Sequence, residues 1–258
     1  MRCFWLFGLG LACRAMSAYA DTTECPASVV EGVDVSDSQG SITWSNVKTS
    51  GRAFAFAKAT QGTYTTDVTF AANWANTQTA GLLRGPYHFF DATIDGTAQA
   101  NYFLSAINGA GGLQPGDLPP MLVLTCPTSS NQATTELNCE YNGDSGWVDT
   151  STLSQRVFDW LNTVEAATGR KPLIYSYPSW FVDVGFTDAN LANYPLFIAT
   201  YGSCASVPSP WINATFWQYS AAGSVSGISG DVNLDRFVGS QSALQVFVDT
   251  IFADGFDQ

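Results

Sequence analysis

The sequence predicts a single α/β domain, a (β/α)8 TIM-like barrel that becomes irregular toward its end. Three observations predict it. Eight strand-like runs recur along the 258 residues with helix-like segments between them, the alternation of a parallel β/α fold. After Pro119-Pro120, the run Met121, Leu122, Val123, Leu124 is continuously apolar, the pattern of a strand covered on both faces. No internal repeat and no Pro- or Ser-rich linker divides the chain, and a 46% apolar content is ample for one core.

The chain opens with MRCFWLFGLGLACRAMSAYA, in which Arg2 precedes an apolar run and Ala18-Tyr19-Ala20 forms an A-x-A site. Residues 1–20 therefore read as a cleaved secretion signal. A lipoprotein alternative exists at Cys13, but Gly10 and Arg14 depart from the expected box. The apolar run is too short for a bilayer, and no later segment approaches the ~20 apolar residues of a transmembrane helix. A soluble secreted protein is expected, extracellular or periplasmic, with the barrel over 21–238 and a tail over 239–258.

The strand candidates are EGVDVS (31–36), AFAFAKAT (53–60), LRGPYHFF (83–90), PPMLVLT (119–125), KPLIYSYP (171–178), YPLFIATY (194–201), ATFWQYS (214–220) and GDVNLDRF (230–237). Helices are expected at 67–80, with Val68, Ala71, Ala72 and Ala75 on one face and Gly81 as the stop, and at 95–108. The clearest spans 151–168, where Leu153, Val157, Trp160, Leu161 and Val164 form an apolar stripe ending at Gly169. Later inter-strand segments are shorter, hence the expected irregularity. The polar stretch 126–148 reads as a long loop over the carboxyl ends of the strands. The tail reads either as packing on the barrel or as a sorting signal.

Loss of residues 1–20 leaves 8 basic against 22 acidic residues, a net charge of −14, which argues against nucleic acid and anionic membranes as partners. Cys25, Cys126, Cys139 and Cys204 then remain, an even number suited to two disulfides in an exported chain. Three connectivities are possible, of which Cys126–Cys139 is the most local. Without a C-x-x-C pair and with one histidine, no metal site is expected, and no cofactor is implied.

Barrels of this class place their working groups at the carboxyl ends of strands. Those positions hold Asp34 with Asp37 and Gln39, Lys58 with Gln61, Tyr87 with His88, Thr125, Tyr175 with Tyr177, Tyr201, Trp217 with Gln218 and Tyr219, and Asn233 with Asp235. Rings and amides around a mouth suit a carbohydrate. Each also has a plainer reading. His88 reads as a proton shuttle or a hydrogen-bonded wall residue, Lys58 as a ligand contact or a partner of Asp34. Trp217, Tyr219 and Tyr175 read as sugar platforms or core lids.

The motifs GVDVSDSQGSITWSNVKTSGRAFAFAKATQG, FAANWANTQTAGLLRGPYHFF, LPPMLVL, YPLFIATY, FWQYS and DVNLDRF, in this order from Gly32 to Phe237, resemble the glycoside hydrolase family 25 lysozymes. That resemblance implies a β/α-barrel muramidase acting on peptidoglycan. It also implies a strand ending LDVE, whose glutamate donates the proton and whose aspartate positions or stabilises the reacting sugar. Here the letters are Leu122-Val123-Leu124-Thr125, so both carboxylates are replaced, by Val123 and Thr125. KATEG is KATQG with Gln61, and VDLN is Val232-Asn233-Leu234-Asp235, leaving Asp34 as the clear survivor. Glu136 and Glu140 are candidate replacement acids; Asp144 lies in the same loop, and Asp91 is a weaker candidate.

Three functions follow as expectations. The first is a catalytically impaired, lysozyme-like binder of peptidoglycan or a related glycan through Asp34, Gln39, Lys58, Gln61, Tyr87, His88, Tyr175, Tyr201, Trp217, Gln218 and Asn233. The second is an active muramidase with a relocated acid. The third is an extracellular interaction protein, bound to another protein, with a vestigial groove.

Overall fold

The computed structural model describes residues 21–125 and 148–253. Eight strands close into a ring: β1 (Val29–Val35), β2 (Phe54–Gln61), β3 (Leu83–Phe89), β4 (Met121–Val123), β5 (Leu173–Ser176), β6 (Leu196–Ala199), β7 (Phe216–Gly223) and β8 (Val232–Val238). Neighbours from β1 through β7 run parallel, and β8 closes the ring antiparallel to both β7 and β1. This is the expected irregularity, and it has a simple cause. Only the segment 224–231 links β7 to β8, enough for an antiparallel return and too short for the helical crossover that a parallel strand requires.

Helices α1 (Trp44–Thr49), α2 (Phe70–Thr79), α3 (Gly96–Gly109), α4 (Thr150–Thr168) and α5 (Pro178–Asp183) punctuate the strands, and α6 (Gln241–Ala253) follows the last one. In α4 the predicted stripe is the buried face, capped by Asp149 at its start and by left-handed Gly169 at its end. In α2 the predicted face is wrong. Val68, Ala71, Ala72 and Ala75 are exposed, and Phe70, Asn73, Trp74 and Thr77 are buried instead. Two large rings outweigh three alanines in apolar area, so the helix turns its aromatic side to the sheet.

Strand alternation divides the core into two. Inward-facing Phe54, Phe56, Met121, Val123, Leu173, Phe197, Phe216 and Phe237 fill the barrel. Outward-facing Val33, Ala55, Leu122, Leu124, Ile174 and Ile198 pack beneath the helices. The interior is an aromatic plug, with Phe54, Phe56, Phe197 and Phe216 making edge and stacked contacts at 5.2–6.1 Å between centroids. Two inward glycines make room for it: a Cβ at Gly32 would lie 2.3 Å from the Phe54 ring, and one at Gly85 2.4 Å from Phe56.

At the amino end of the strands, α6 closes the plug with Leu244 and Val248, while Phe247 meets Phe216 and Phe237. Most of the tail therefore packs on the barrel. A short strand, Thr22–Glu24, pairs with Ala205–Val207, and the Cys25–Cys204 disulfide fastens the same junction. That bond closes a sequence separation of 179 residues, which in the chain-entropy account contributes about 5 kcal/mol. Residues 1–20, and with them the expected signal, lie outside the described residues. So do Cys126, Glu136, Cys139, Glu140 and Asp144.

Candidate functional site

The inward parity that fills the barrel continues to the carboxyl ends of the strands. It places Asp34 on β1, Lys58 and Gln61 on β2, Tyr87 and Phe89 on β3, and Val123 followed by Thr125 at the end of β4. Tyr175 on β5, Tyr201 just past β6, Gln218 on β7 and Asn233 on β8 complete the ring. Between Lys58 and Thr60 the β2–β3 register slips by one residue, which returns Gln61 to the inner face.

Asp34 is the centre of this mouth. Gln218 Nε2 donates to its Oδ2 at 2.7 Å and Asn233 Nδ2 to its Oδ1 at 2.9 Å. Burial raises its pKa to about 6, against the two amide hydrogen bonds that lower it. Tyr175 and Tyr201 hydroxyls donate to Gln218 Oε1 at 3.0 and 3.1 Å, so one carboxamide bridges the acid to two phenols. Tyr201 is 64% exposed and presents its ring to solvent at the rim.

Asp235 lies one inward step below Asn233, pairing with Gly32 and Gln218 in register. It is fully buried, and neither carboxylate oxygen has a hydrogen-bond partner among the described residues. Burial, then the charges of Asp34 and Glu31, raise its pKa well above the ordinary carboxylate value, against the charge of Arg52, which lowers it. Among the described residues, the mouth thus holds Asp34 clamped by two amides, with Asp235 buried beneath it.

On the opposite arc, Lys58 Nζ donates to Gln61 Oε1 at 2.9 Å and stands 5.3 Å from the Phe89 ring centroid. The expected alternative partner, Asp34, is instead taken by amides. Gln61 Nε2 reaches Tyr64 Oη, which donates to Asp91 Oδ2 at 3.2 Å. Asp91 also accepts from Thr93 N and Oγ1, so this acid is committed to a turn. Val123 and Thr125 are buried, and Thr125 Oγ1 has no hydrogen-bond partner among the described residues.

Two predicted binding residues do not face the mouth, and a third is committed to structural hydrogen bonds. His88 has the outward parity of β3 and is fully buried. Its Nδ1 meets Thr60 Oγ1 at 2.7 Å, its Nε2 meets Gln99 Oε1 at 3.1 Å, and its ring stacks on Trp160. Burial lowers its pKa to about 3, so it is a neutral wall residue. Trp217 also points outward, 1% exposed, donating Nε1–H to Thr200 O. Gln39 is spent on structure: Oε1 accepts from Ser36 N in a capping box, and Nε2 donates to Asp231 O.

Phe89 and Tyr64 also belong to the mouth, beyond the residues expected from the sequence. Parity alone locates Phe89, since it shares the inward side with Tyr87. Tyr64 carries no such signal, because it stands beyond the strand in a turn. Among the described residues, no group of His, Cys, Asp and Glu is arranged to hold a metal ion.

Comparison with known proteins decides the lineage. The sequence signature of Glycosyl hydrolases family 25 matches residues 33–228. The chain belongs to glycoside hydrolase family 25.

Among members of the family, Lysozyme M1 of Streptomyces globisporus is 39% identical over 222 residues, 83% of this chain and 70% of that protein. The N,O-diacetylmuramidase of Chalaropsis is 31% identical over 79% of this chain and 94% of its own. The crystal structure of the bacterial lysozyme from Streptomyces coelicolor superposes with a TM-score of 0.74 at 36% identity, covering 87% of this chain and 99% of that one. This family 25 barrel therefore carries a lysozyme-like scaffold, and at its β4 exit the inward positions are Val123 and Thr125.

Proposed function

We propose that this protein is a secreted, lysozyme-like binder of peptidoglycan or a related glycan, with hydrolysis impaired. One observation carries the reading: at the inward positions where the family resemblance expects a carboxylate pair stand Val123 and Thr125. Glycosidic cleavage requires an acid to protonate the leaving oxygen and a second, negative group at the reacting sugar. Loss of the general acid alone costs about 100- to 10,000-fold in rate. A threonine hydroxyl does not ionise in the range where that role is played, and valine has no proton to give.

Asp34 does not replace them. Both of its oxygens accept amide hydrogen bonds, an arrangement that favours an acceptor role toward sugar hydroxyls. The exposed Tyr201 ring beside it suits a sugar C–H face. The lysozyme and muramidase names of the relatives support peptidoglycan as the glycan. Residues 1–20 and the Cys25–Cys204 bond fit an exported protein.

Co-sedimentation with purified peptidoglycan tests the binding half. Saturable retention is expected, weakened roughly threefold to tenfold by Tyr201→Ala, the loss of one stacking platform. Absence of retention would reject glycan binding and favour a protein partner on the same barrel.

A further inference from the structure

At the amino end of the barrel, opposite the mouth, a pocket of 390 Å³ opens between α1, the starts of β2 and β3, and α6. Lys48, Arg52, Gln241 and Gln245 supply its polar side chains, and among the described residues no carboxylate lines it. In a chain of net charge −12, a pocket with two cations and no acid is a local inversion of the surface.

Arg52 is the sharper anomaly. Among the described residues, every other cation is engaged. Arg84 and Arg236 pair with Asp117 and Glu31, Arg156 and Arg170 donate to backbone carbonyls, and Lys58 donates to Gln61. Lys171 lies over the Tyr194 ring, and Lys48 donates to Gly81 O at 2.8 Å. The Arg52 guanidinium alone has no hydrogen bond or ion pair there, its charge acting on Asp235 and Tyr219 without direct contact, and its Nε is buried without a partner. A buried donor left unmade costs about 1–3 kcal/mol, so this residue is poised for an acceptor.

Glu31, on the adjoining strand, does not serve, because Arg236 Nε and the Tyr219 hydroxyl hold its two oxygens. Asp249 beside the pocket is taken by Gln245 Nε2 at 3.0 Å. The donors left over are the guanidinium fork of Arg52, two N–H of the Lys48 ammonium and the Gln241 carboxamide. A planar fork with a neighbouring point charge matches an anion bearing several oxygens in tetrahedral array.

We propose that this pocket binds a phosphate-class oxyanion, as free phosphate or as a phosphodiester of a wall polymer. The site is independent of the mouth and of the hydrolytic question. Titration calorimetry of the purified full chain at low ionic strength tests it, with inorganic phosphate in one arm and a glycerol-phosphate oligomer in the other. One saturable site is expected, weakened about tenfold or more in Arg52→Gln and less in Lys48→Gln. Arg52→Lys should retain part of the affinity, as a point charge without the fork. Lys171→Gln, which removes the same charge outside the pocket, should leave binding unchanged, with circular dichroism verifying the fold of each variant. Tighter binding of the oligomer assigns the site to polymer, and equal binding to the free anion. No saturable binding in either arm, or affinity equal to wild type in folded Arg52→Gln, overturns the proposal.

Discussion

Asp235 sits inside the barrel with neither carboxylate oxygen hydrogen-bonded among the described residues, and burial raises its pKa. Because the folded pKa lies above the unfolded one, its contribution to stability is full below about pH 3.8 and declines as pH rises. Asp235→Asn removes the ionisable group, and with it the proton uptake that folding demands above the unfolded carboxyl's pKa, while leaving two polar atoms unsatisfied, so it should raise stability at pH 7 relative to pH 4. Thermal unfolding at pH 7 and pH 4 checks this, with the gain larger at pH 7. His88 acts in the opposite sense. Its pKa is about 3 when folded against 6.5 when free, so the unfolded chain takes up a proton that the barrel refuses, and stability falls from pH 6.5 toward 3. Asp34, raised to about 6, gains stability as pH falls from 6 to 3.8 and partly masks the His88 effect. Denaturant titrations between pH 6 and 4 should show His88→Gln losing up to one proton of slope, about 1.4 kcal/mol per pH unit. The same two positions mark what was legible residue by residue. LRGPYHFF assigns Tyr87 and Phe89 to one face and His88 to the other by alternation alone, whereas the amide clamp on Asp34 depends on β7 and β8, nearly 200 residues downstream.

At the scale of elements, periodicity located all eight strands and three of the helices. It failed where size and composition compete, as in α2, whose alanines are exposed while Phe70 and Trp74 are buried. The joints between elements were not legible, since they rest on pairs distant in sequence. The firmest is the knot beneath β3 and β4. There Arg84 forks onto Asp117 at 2.8 and 3.1 Å and stacks on Trp74, while Arg170 donates to the backbone carbonyl of Asp117. Both partners of the pair are buried, so truncating one strands a charge. Asp117→Ala is expected to cost about 3–5 kcal/mol, visible as a fall in melting temperature of roughly 10 °C. A change below about 2 °C would show that solvent or neighbouring carbonyls replace the carboxylate.

The two ends of the barrel present different chemistry. The amino end is sealed by α6 and carries the cationic pocket, while the carboxyl end presents Asp34, Tyr201 and the amides. The family was legible because its motifs span most of the chain in order, and the matched region 33–228 agrees with that. Chemistry was less legible, because catalysis depends on two or three atoms that leave periodicity and core packing unchanged. Val123 and Thr125 keep the β4 exit packed and inward-facing, so the barrel is intact whether or not it cuts. The decisive measurement is release of reducing ends from purified peptidoglycan by the disulfide-bonded protein, run beside an active family 25 lysozyme. Impaired hydrolysis predicts no release above buffer at matched protein concentration. Sustained release, abolished by Glu136→Gln or Glu140→Gln, would contradict it and assign the acid to another part of the chain.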